Sequence, residues 1–352
     1  MIFVDDMKKH ILVVGAFGYK QNQLDGQTVK TRNIYTLLKE RYEGVVEAFD
    51  TLATRSNPML LFHLVGQLIK CRTLLLLPAH NNWTYLFPVL YVLSKILRYE
   101  IVIVCIGGWQ VEYFKGIDTK AHKLQMRLAK RVKVVLAEMN KVEQDLRTEL
   151  GFDNTQVLYN FRHIDTTLQN THQEATLRLV FMARINRKKG YETIFNLAQY
   201  IRDNLMNITI DFYGPITQED KLHFMQLVEA NKDIVTYKGV LQPHEIASTL
   251  VKYDIMLFPT QYYTEGLPGT IIDAYTASLP VIATQWKHAT EFIDDGVTGY
   301  IVPFDNCQDA FNEAVCTLYN DRKLLAKMKL NAHNAVLRYT EDSTWKVLSN
   351  YI

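Results

Sequence analysis

Two carboxylates in the second half of this chain lie where a helix is predicted to begin. Glu265 and Asp273 are separated by seven residues. The apolar run Ile255–Phe258 predicts a buried parallel strand, and residues 270–278 predict the helix that follows its loop. In such a strand-loop-helix unit, ligands bind beyond the carboxyl end of the strand. The spacing allows one carboxylate to contact a sugar ring and the other a ribose, on either side of a diphosphate.

The loop between this strand and its helix adds hydrogen-bond donors. Free amide groups at a helix start bind phosphate or sugar oxygens, and glycine lets a ligand approach the backbone closely. We therefore predict a ligand-binding segment of Gly266, Leu267, Pro268, Gly269 and Thr270.

Asp273 also fits a purely structural role. Thr270 and Asp273 have the spacing of a capping box, in which two side chains stabilise the first turn of a helix. On that interpretation Asp273 binds no ligand. Other patterns along the chain favour the ligand-binding interpretation.

A basic loop follows another predicted strand, in the segment LVFMARINRKKG that begins at Leu179. Together with the two carboxylates, this loop resembles the retaining glycosyltransferases of family 4. That family has the GT-B fold, a Glu-x7-Glu signature and a Gly-Arg-Leu…Lys-Gly loop. Two positions differ: Asp273 stands for the second Glu, and Ala183 stands for the usual Gly. Each replacement keeps the chemical character of its position.

The resemblance implies a role for each of these side chains. Glu265 would contact the donor sugar, and Asp273 the ribose hydroxyls, of a nucleotide diphosphate sugar. Arg184 and Lys189 would neutralise the leaving diphosphate, a task that a metal ion performs in many other enzymes that handle phosphate. Arg187 and Lys188, the other two cations of this loop, are expected to be solvated.

The resemblance is strong over residues 177–303 and weaker elsewhere. In the family, one of the loops receives the nucleobase, which makes Gly239, Val240 and Leu241 candidate base contacts. The loop after the first strand lacks Gly-x-Gly-x-x-Gly, so it does not match a dinucleotide-binding loop. The family usually has a Gly-Gly pair near the donor phosphate there, at the position of Gly26.

The acceptor side of the site is less clearly marked. Many family members have a His after the strand predicted at residues 101–106, where this chain has Cys-Ile-Gly-Gly-Trp. The candidate acceptor contacts are His80, in the loop after a neighbouring strand, and Trp109. In this family, retention of the anomeric configuration is ascribed to attack by the acceptor on the face of the sugar from which the leaving group departs. No protein base is then strictly required.

Strand-like and helix-like segments alternate along both halves, which predicts parallel sheets covered on both faces. With the resemblance, this predicts an α/β GT-B fold, with two Rossmann-like, doubly wound domains facing across a cleft. The expected parts are an N-terminal acceptor-side domain at 1–165, a C-terminal nucleotide-sugar-binding domain at 176–339, and a final helix at 340–352 that packs back on the first domain. A chain of 352 residues with 48% hydrophobic residues suffices for two cores.

Composition also indicates a compartment. The four cysteines lack metal-ligand spacing, so a reduced cytoplasmic protein with no metal site and no cofactor is expected. No stretch is long and apolar enough to span a bilayer. No secretory signal is visible, and either Met1 or Met7 could be the start.

Charge differs between the two halves. Residues 1–165 have 22 Lys and Arg against 16 Asp and Glu, a net charge of +6, and the remainder has −4. A basic first domain suits a phosphate-bearing acceptor or the anionic inner face of the cytoplasmic membrane. Aromatic and basic residues between Trp83 and Lys115 would suit a lipid interface, although helical spacing also predicts an ordinary core. No basic run or recognition motif indicates nucleic acid.

Together with the resemblance, these patterns predict a metal-independent, retaining glycosyltransferase that moves a sugar from a UDP- or GDP-linked donor to a glycan acceptor. From the resemblance, we expect an acceptor linked to undecaprenyl diphosphate in the synthesis of capsule, exopolysaccharide or lipopolysaccharide. Two alternatives remain: a nucleotide-sugar 2-epimerase on the same fold, and an inactive glycosyltransferase-like subunit that stabilises an active partner. The signature of Glu265 and Asp273 disfavours the first alternative. The joint presence of Arg184, Lys189 and Glu265 disfavours the second.

Overall fold

Residues 10–19, 25–55, 57, 59–79, 82–116, 119–164 and 175–352 are described by the structure, a computed structural model. The chain divides into two units. The first comprises Met1–Arg162 with Glu341–Ile352, and the second comprises His163–Thr340. Several predictions fall outside the described residues, namely His80, the start of the chain at Met1 or Met7, and most of the segment between the two expected domains.

Each unit contains one six-stranded sheet in which all neighbouring strands are parallel. The strands of the first sheet are β1 His10–Gly15, β2 Val45–Asp50, β3 Thr73–Leu76, β4 Glu100–Val104, β5 Val134–Ala137 and β6 Thr155–Val157. Those of the second sheet are β7 Leu177–Met182, β8 Ile208–Tyr213, β9 Val235–Tyr237, β10 Ile255–Phe258, β11 Val281–Thr284 and β12 Gly299–Val302.

Helices connect the strands in both units. In the first unit they are α1 Gly26–Arg41, α2 Leu60–Lys70, α3 Phe87–Leu97, α4 Gln110–Gly116, α5 Lys120–Ala129 and α6 Asn140–Thr148. In the second unit they are α7 Tyr191–Asp203, α8 Lys221–Ala230, α9 Ile246–Leu250, α10 Gly269–Thr276, α11 Ala289–Phe292, α12 Gln308–Asn320 and α13 Arg322–Ala335. A final helix, α14 Glu341–Leu348, belongs to the first unit. The predicted alternation of strands and helices is confirmed.

The order of strands creates one reversal in each sheet. The first sheet runs β2-β1-β3-β4-β5-β6, and the second runs β12-β11-β10-β7-β8-β9. In the first sheet, β2 lies on one side of β1 and all later strands lie on the other side. In the second sheet, β8 and β9 lie on one side of β7, and the later strands lie on the other side. The predicted doubly wound arrangement is confirmed, and its switch points lie between β1 and β3 and between β7 and β10.

The cores follow from the composition of the strands. The central strands β3, β5, β10 and β11 are buried along their whole length, as expected for parallel sheets covered on both faces. Leu348 of α14 packs in the core of the first unit with residues of α1 and the sheet.

The aromatic residues of the first unit divide between core and surface. Trp83, Phe87, Tyr91 and Tyr113 are buried, so the core interpretation is correct for them, whereas Tyr85 is exposed. Among the described residues, the structure contains no helix with the length and apolar character needed to cross a bilayer.

Candidate functional site

The second sheet places its two most distinctive loops side by side. The basic loop follows β7, and the loop that contains Glu265 follows β10, the strand hydrogen-bonded to β7. Both loops leave the carboxyl edge of the sheet at its switch point, where doubly wound folds bind their ligands. The segments lie far apart in sequence but share one edge of the sheet.

The basic loop folds into a tight turn that rests on the end of β10. Asn186 begins a 3-10 turn over Arg187–Lys189, and its side chain accepts a hydrogen bond from the amide of Lys189 at 3.0 Å. Gly190 follows with φ 76°, and a Cβ atom there would lie 1.8 Å from the carbonyl oxygen of Pro259. Only glycine permits both this backbone conformation and this approach.

Lys189 and Glu265 form an ion pair within this arrangement. The Nζ atom lies 2.5 Å from Oε1, and the two side chains are 22% and 13% exposed. Lys189 Nζ also lies 5.7 Å from the centre of the Phe258 ring. The second carboxylate oxygen, Oε2, is buried and has no hydrogen-bond partner among the residues that the structure describes. A buried acceptor left without a donor is costly, so this oxygen is suited to receive a hydrogen bond from a ligand.

Arg184 differs from Lys189 in its surroundings. It lies two residues beyond the end of β7, its side chain is exposed, and it forms no ion pair with any residue that the structure describes. Arg187 and Lys188 are exposed as expected, and Arg187 pairs with Glu192 at 3.2 Å. Arg184 is thus available to bind an anion at the carboxyl edge.

The helix after β10 begins without a side-chain cap. Its N-cap is Pro268, and no side chain that the structure describes caps this end of α10. Thr270 instead donates its hydroxyl to the carbonyl oxygen of Met182, at 2.9 Å, which ties the helix to the end of β7. Thr270 is therefore not an N-cap, and the capping-box interpretation of Asp273 is wrong. Asp273 lies on the second turn and is buried.

The predicted ligand-binding segment, residues 266–270, differs in exposure along its length. Leu267 and Pro268 are buried, whereas Gly266, Gly269 and Thr270 are half-buried.

The loops after β8 and β9 extend the same edge of the sheet. The amide of Gly214 donates to the carbonyl of Gly239 at 2.8 Å, and a Cβ atom on Gly214 would lie 1.9 Å from the carbonyl oxygen of Ala183. Gly239 has φ 86° with open space around it, Val240 is 48% exposed and Leu241 is half-buried. The candidate base contacts are therefore accessible beside the basic loop.

A buried tyrosine cluster under these loops was missed at the sequence level. The hydroxyl of Tyr253 lies 2.7 Å from an oxygen of Asp211 and 3.0 Å from the hydroxyl of Tyr213. Burial raises the pKa of Tyr253 well above its usual range, so it stays protonated and can donate to the carboxylate. Tyrosine and aspartate at strand ends give no distinctive pattern that would reveal this cluster.

In the first unit, the predicted residues lie at the carboxyl edge of its own sheet. Gly26 is the exposed first residue of α1, and Asp25 caps that helix by accepting a hydrogen bond from the amide of Thr28 at 2.9 Å. Trp109 is half-buried and donates its indole N–H to the carbonyl of Ile106 at 2.9 Å.

A buried ion pair supports the Trp109 loop and was also missed. Lys30 Nζ lies 2.8 Å from Glu138 Oε1, and both side chains are almost fully buried. The other oxygen of Glu138 accepts the amide N–H of Gly107 at 2.7 Å. A signal existed in the sequence, because Lys30 falls within the apolar stripe of α1 formed by Ile34 and Leu37.

No group of three or more His, Cys, Asp or Glu side chains suited to hold a metal ion occurs within the described part of the chain.

Sequence similarity to a known protein family lies in the unit that contains this site. Residues 165–335 match the family model described as Glycosyl transferases group 1. Over 170 residues the chain is 24% identical to the UDP-N-acetylglucosamine–peptide N-acetylglucosaminyltransferase GtfA subunit of Streptococcus pneumoniae, covering 46% of this chain and 33% of that protein. Over 136 residues it is 23% identical to WcaL of Salmonella typhimurium, a glycosyltransferase assigned to colanic acid biosynthesis, covering 38% and 34%. The chain thus spans about a third of the length of the curated relatives it matches.

The fold is shared over a longer stretch. Anabaena HepE, solved in complex with UDP and glucose, matches with a TM-score of 0.72 at 17% identity, over 97% of this chain and 98% of that chain. The predicted GT-B fold class is confirmed. Residues 165–335 are thus similar in sequence to the group 1 glycosyltransferases.

Proposed function

We propose that this chain is a retaining glycosyltransferase that transfers a sugar from a nucleotide diphosphate sugar to a glycan. The observation that carries the proposal is the pairing of Lys189 with Glu265 at the switch point. Glu265 Oε2 is buried there, and no described residue forms a hydrogen bond with it. A sugar hydroxyl supplies the missing hydrogen bond, and a diphosphate supplies the anion for the cations of the basic loop. The similarity to a relative named for UDP-N-acetylglucosamine supports a UDP-sugar as the first donor to test.

The reaction divides between the cations and the carboxylates. The bond between the anomeric carbon and the diphosphate breaks, and Arg184 and Lys189 stabilise the negative charge that develops on the leaving group. The acceptor hydroxyl forms the new bond on the face that the diphosphate leaves, and its proton passes to the departing phosphate oxygen. Glu265 binds the sugar in which positive charge develops, and Asp273 holds the ribose.

The acceptor is proposed to be a lipid-diphosphate-linked oligosaccharide in surface polysaccharide assembly. Support comes from the net charge of +6 on residues 1–165 and from the similarity to a relative assigned to colanic acid biosynthesis. A cationic unit attracts a phosphate-bearing acceptor.

The proposal is tested by incubating the purified chain with a panel of UDP- and GDP-sugars. Binding is measured by thermal shift, slow donor hydrolysis is measured without acceptor, and the anomeric configuration of the product is determined by NMR. Hydrolysis or transfer with retained configuration supports the proposal. Conversion of the donor to its 2-epimer would establish the epimerase instead, and binding without any turnover would favour the inactive subunit.

Metal independence is a separate part of the proposal. It is motivated by the two cations of the basic loop, which supply the charge neutralisation that a metal ion gives elsewhere. Transfer is expected to continue at an unchanged rate in excess EDTA. Loss of transfer on chelation that is restored by Mg²⁺ or Mn²⁺ would refute this part.

A further inference from the structure

The first unit exposes an apolar surface on two of its helices. Five exposed residues lie on or just before α2, and four lie on α3 or the turn that leads into it. They are Met59, Leu61, Phe62, Val65 and Ile69, followed by Tyr85, Val89, Val92 and Ile96. Each is at least 43% exposed, and Phe62 and Tyr85 reach 74% and 75%. We call these nine residues the apolar face.

The spacing of the apolar face is helical. Tyr85, Val89, Val92 and Ile96 follow one another at steps of four, three and four residues, which places them along one side of α3. The opposite side of α3 is already packed, because Phe87, Leu90 and Tyr91 are buried. The helix is therefore apolar on two sides, and only one of them is packed against the rest of the unit.

The topology places α2 and α3 next to each other. The connections from β2 to β3 and from β3 to β4 move in the same direction across the sheet, so right-handed crossovers put both helices on one face. Helix α2 contacts β1, and α3 contacts β4, two strands away. Two strand spacings are about 10 Å, which is the distance between neighbouring packed helices. The two exposed stripes therefore lie on the same face of the sheet, about one helix-packing distance apart.

The charge of this segment selects the partner. Between Thr51 and Tyr99 the sequence contains no Asp or Glu. The exposed cations Lys70, Arg72, Lys95 and Arg98 lie at or near the C-terminal ends of the same two helices. A second copy of this surface would be repelled by like charge, whereas a bilayer with anionic lipids offers apolar chains and negative headgroups together.

We infer that the apolar face of α2 and α3 binds the surface of an anionic phospholipid bilayer. The helices start at the carboxyl edge of the first sheet, so Met59, Phe62 and Tyr85 lie near the end where a doubly wound fold binds ligand. The basic ends lie at the opposite edge, where Arg72 donates its amide to the carbonyl of His10 at 2.8 Å. The inference rests on the proposed function only in one respect: an acceptor carried on lipid would be presented at this surface.

The test measures partition of the full chain onto vesicles. Vesicles of phosphatidylcholine are compared with vesicles that also contain phosphatidylglycerol, by flotation. The wild-type chain is expected to bind the anionic vesicles. The double variant Phe62→Glu, Ile96→Glu is expected to lower the partition coefficient by about tenfold or more, because both side chains lose their insertion. The variant Lys70→Gln, Arg98→Gln is expected to lower it by about fivefold for each charge removed.

A matched control uses exposed leucines on helices of the other unit. Leu222 and Leu330 are 73% and 61% exposed, and Leu222→Glu, Leu330→Glu is expected to bind vesicles like the wild type. The inference would be overturned if this control lost as much vesicle binding as the Phe62→Glu, Ile96→Glu variant, or if the wild-type chain did not bind anionic vesicles. A wild-type oligomer that Phe62→Glu, Ile96→Glu dissociates in sedimentation velocity, without vesicle binding, would identify a protein interface instead.

Donor hydrolysis in vesicle-free solution separates this inference from the proposed function. If the chain hydrolyses donor but does not bind vesicles, only the inference that the apolar face binds a membrane is refuted. A chain that binds anionic vesicles through the apolar face but turns over no donor refutes only the proposed function.

Discussion

At the scale of single residues, the site depends on one lysine that serves two partners. Lys189 neutralises Glu265 in the structure, and in the proposed reaction it also faces the leaving diphosphate. Arg184 is exposed and has no competing carboxylate among the described residues. Replacing Lys189 and replacing Arg184 should therefore change the stability of the fold to different extents, even if both replacements lower turnover equally.

We expect Arg184→Ala and Lys189→Ala each to lower turnover by about two to three orders of magnitude, typical of removing a preorganised charge from a leaving group. Lys189→Ala should also lower the melting temperature, because Glu265 loses its counter-ion in a half-buried position, whereas Arg184→Ala should not. The checks are donor hydrolysis and thermal unfolding. Lys188→Ala is the matched control, since its exposed side chain lies in the same turn. Wild-type turnover in both test variants would remove the two cations from the mechanism.

Replacing each of the two carboxylates should change a different kinetic or binding constant. Glu265 faces the sugar, where charge develops in the transition state, so Glu265→Gln should mainly lower kcat. Asp273 is assigned to the ribose, which is unchanged by the reaction, so Asp273→Ala should mainly raise the donor Kd, by about 1–3 kcal/mol. Steady-state kinetics and calorimetric titration with UDP distinguish the two effects. An Asp273→Ala variant that melts earlier but binds UDP like the wild type would show that this aspartate is only structural.

At the scale of secondary-structure elements, the site is held by contacts between loops. The turn at Arg187–Lys189 is fixed at both ends, by the Asn186 cap and by the close approach of Gly190 to Pro259. The amide of Gln261 also donates to the carbonyl of Lys188 at 2.8 Å. The position of Lys189 therefore depends on the backbone of the loop after β10.

Gly190→Ala should displace this turn and lower both stability and activity. The left-handed conformation alone costs a residue with a Cβ atom about 1–2 kcal/mol, and the overlap with the Pro259 carbonyl adds to it. Urea unfolding and donor hydrolysis measure the two effects. Gly66→Ala provides the control, because a Cβ atom at this helical position meets nothing within 4 Å and should stabilise the fold by about 0.5–1 kcal/mol. Unchanged stability of Gly190→Ala would show that the turn adapts.

At the scale of the whole molecule, buried thiols set an alkaline limit on stability. Cys71 and Cys105 are buried in the first unit, and burial raises the pKa of each thiol to about 12. In the unfolded chain these thiols ionise near their ordinary pKa of 9.0. The folded chain therefore keeps protons that the unfolded chain releases above pH 9.

The contribution of each thiol to stability should be complete below pH 9 and should decrease as the pH rises from 9 towards 12, by about 1.4 kcal/mol for each pH unit and each thiol. Urea unfolding at pH 8, 9 and 10 measures the slope. The variant Cys71→Ala, Cys105→Ala should start from lower stability because of the cavities it leaves, and its stability should depend less on pH. Equal slopes in the two proteins would contradict the assignment to these thiols.

Sequence alone was sufficient for the features that depend on local pattern. Continuous apolar runs such as Ile255–Phe258 indicate parallel strands, because strands buried on both faces need no polar alternation. The alternation of these runs with helices then indicates two doubly wound sheets. The two loops that contain the candidate residues were also located in this way, since each loop follows a strand, whereas the role proposed for each side chain came from the family resemblance.

The tertiary structure decided which of these residues meet and which surfaces stay uncovered. Lys189 and Glu265 pair only because β10 lies beside β7 in the sheet, a choice set by the order of strands and not by any local signal. The lipid-facing prediction was made for aromatic residues such as Trp83, which is buried and packs against other aromatic rings, whereas Phe62 and its neighbours stay exposed. Helical periodicity identifies an apolar side of a helix, but only the packing of the sheet determines which of two apolar sides is covered.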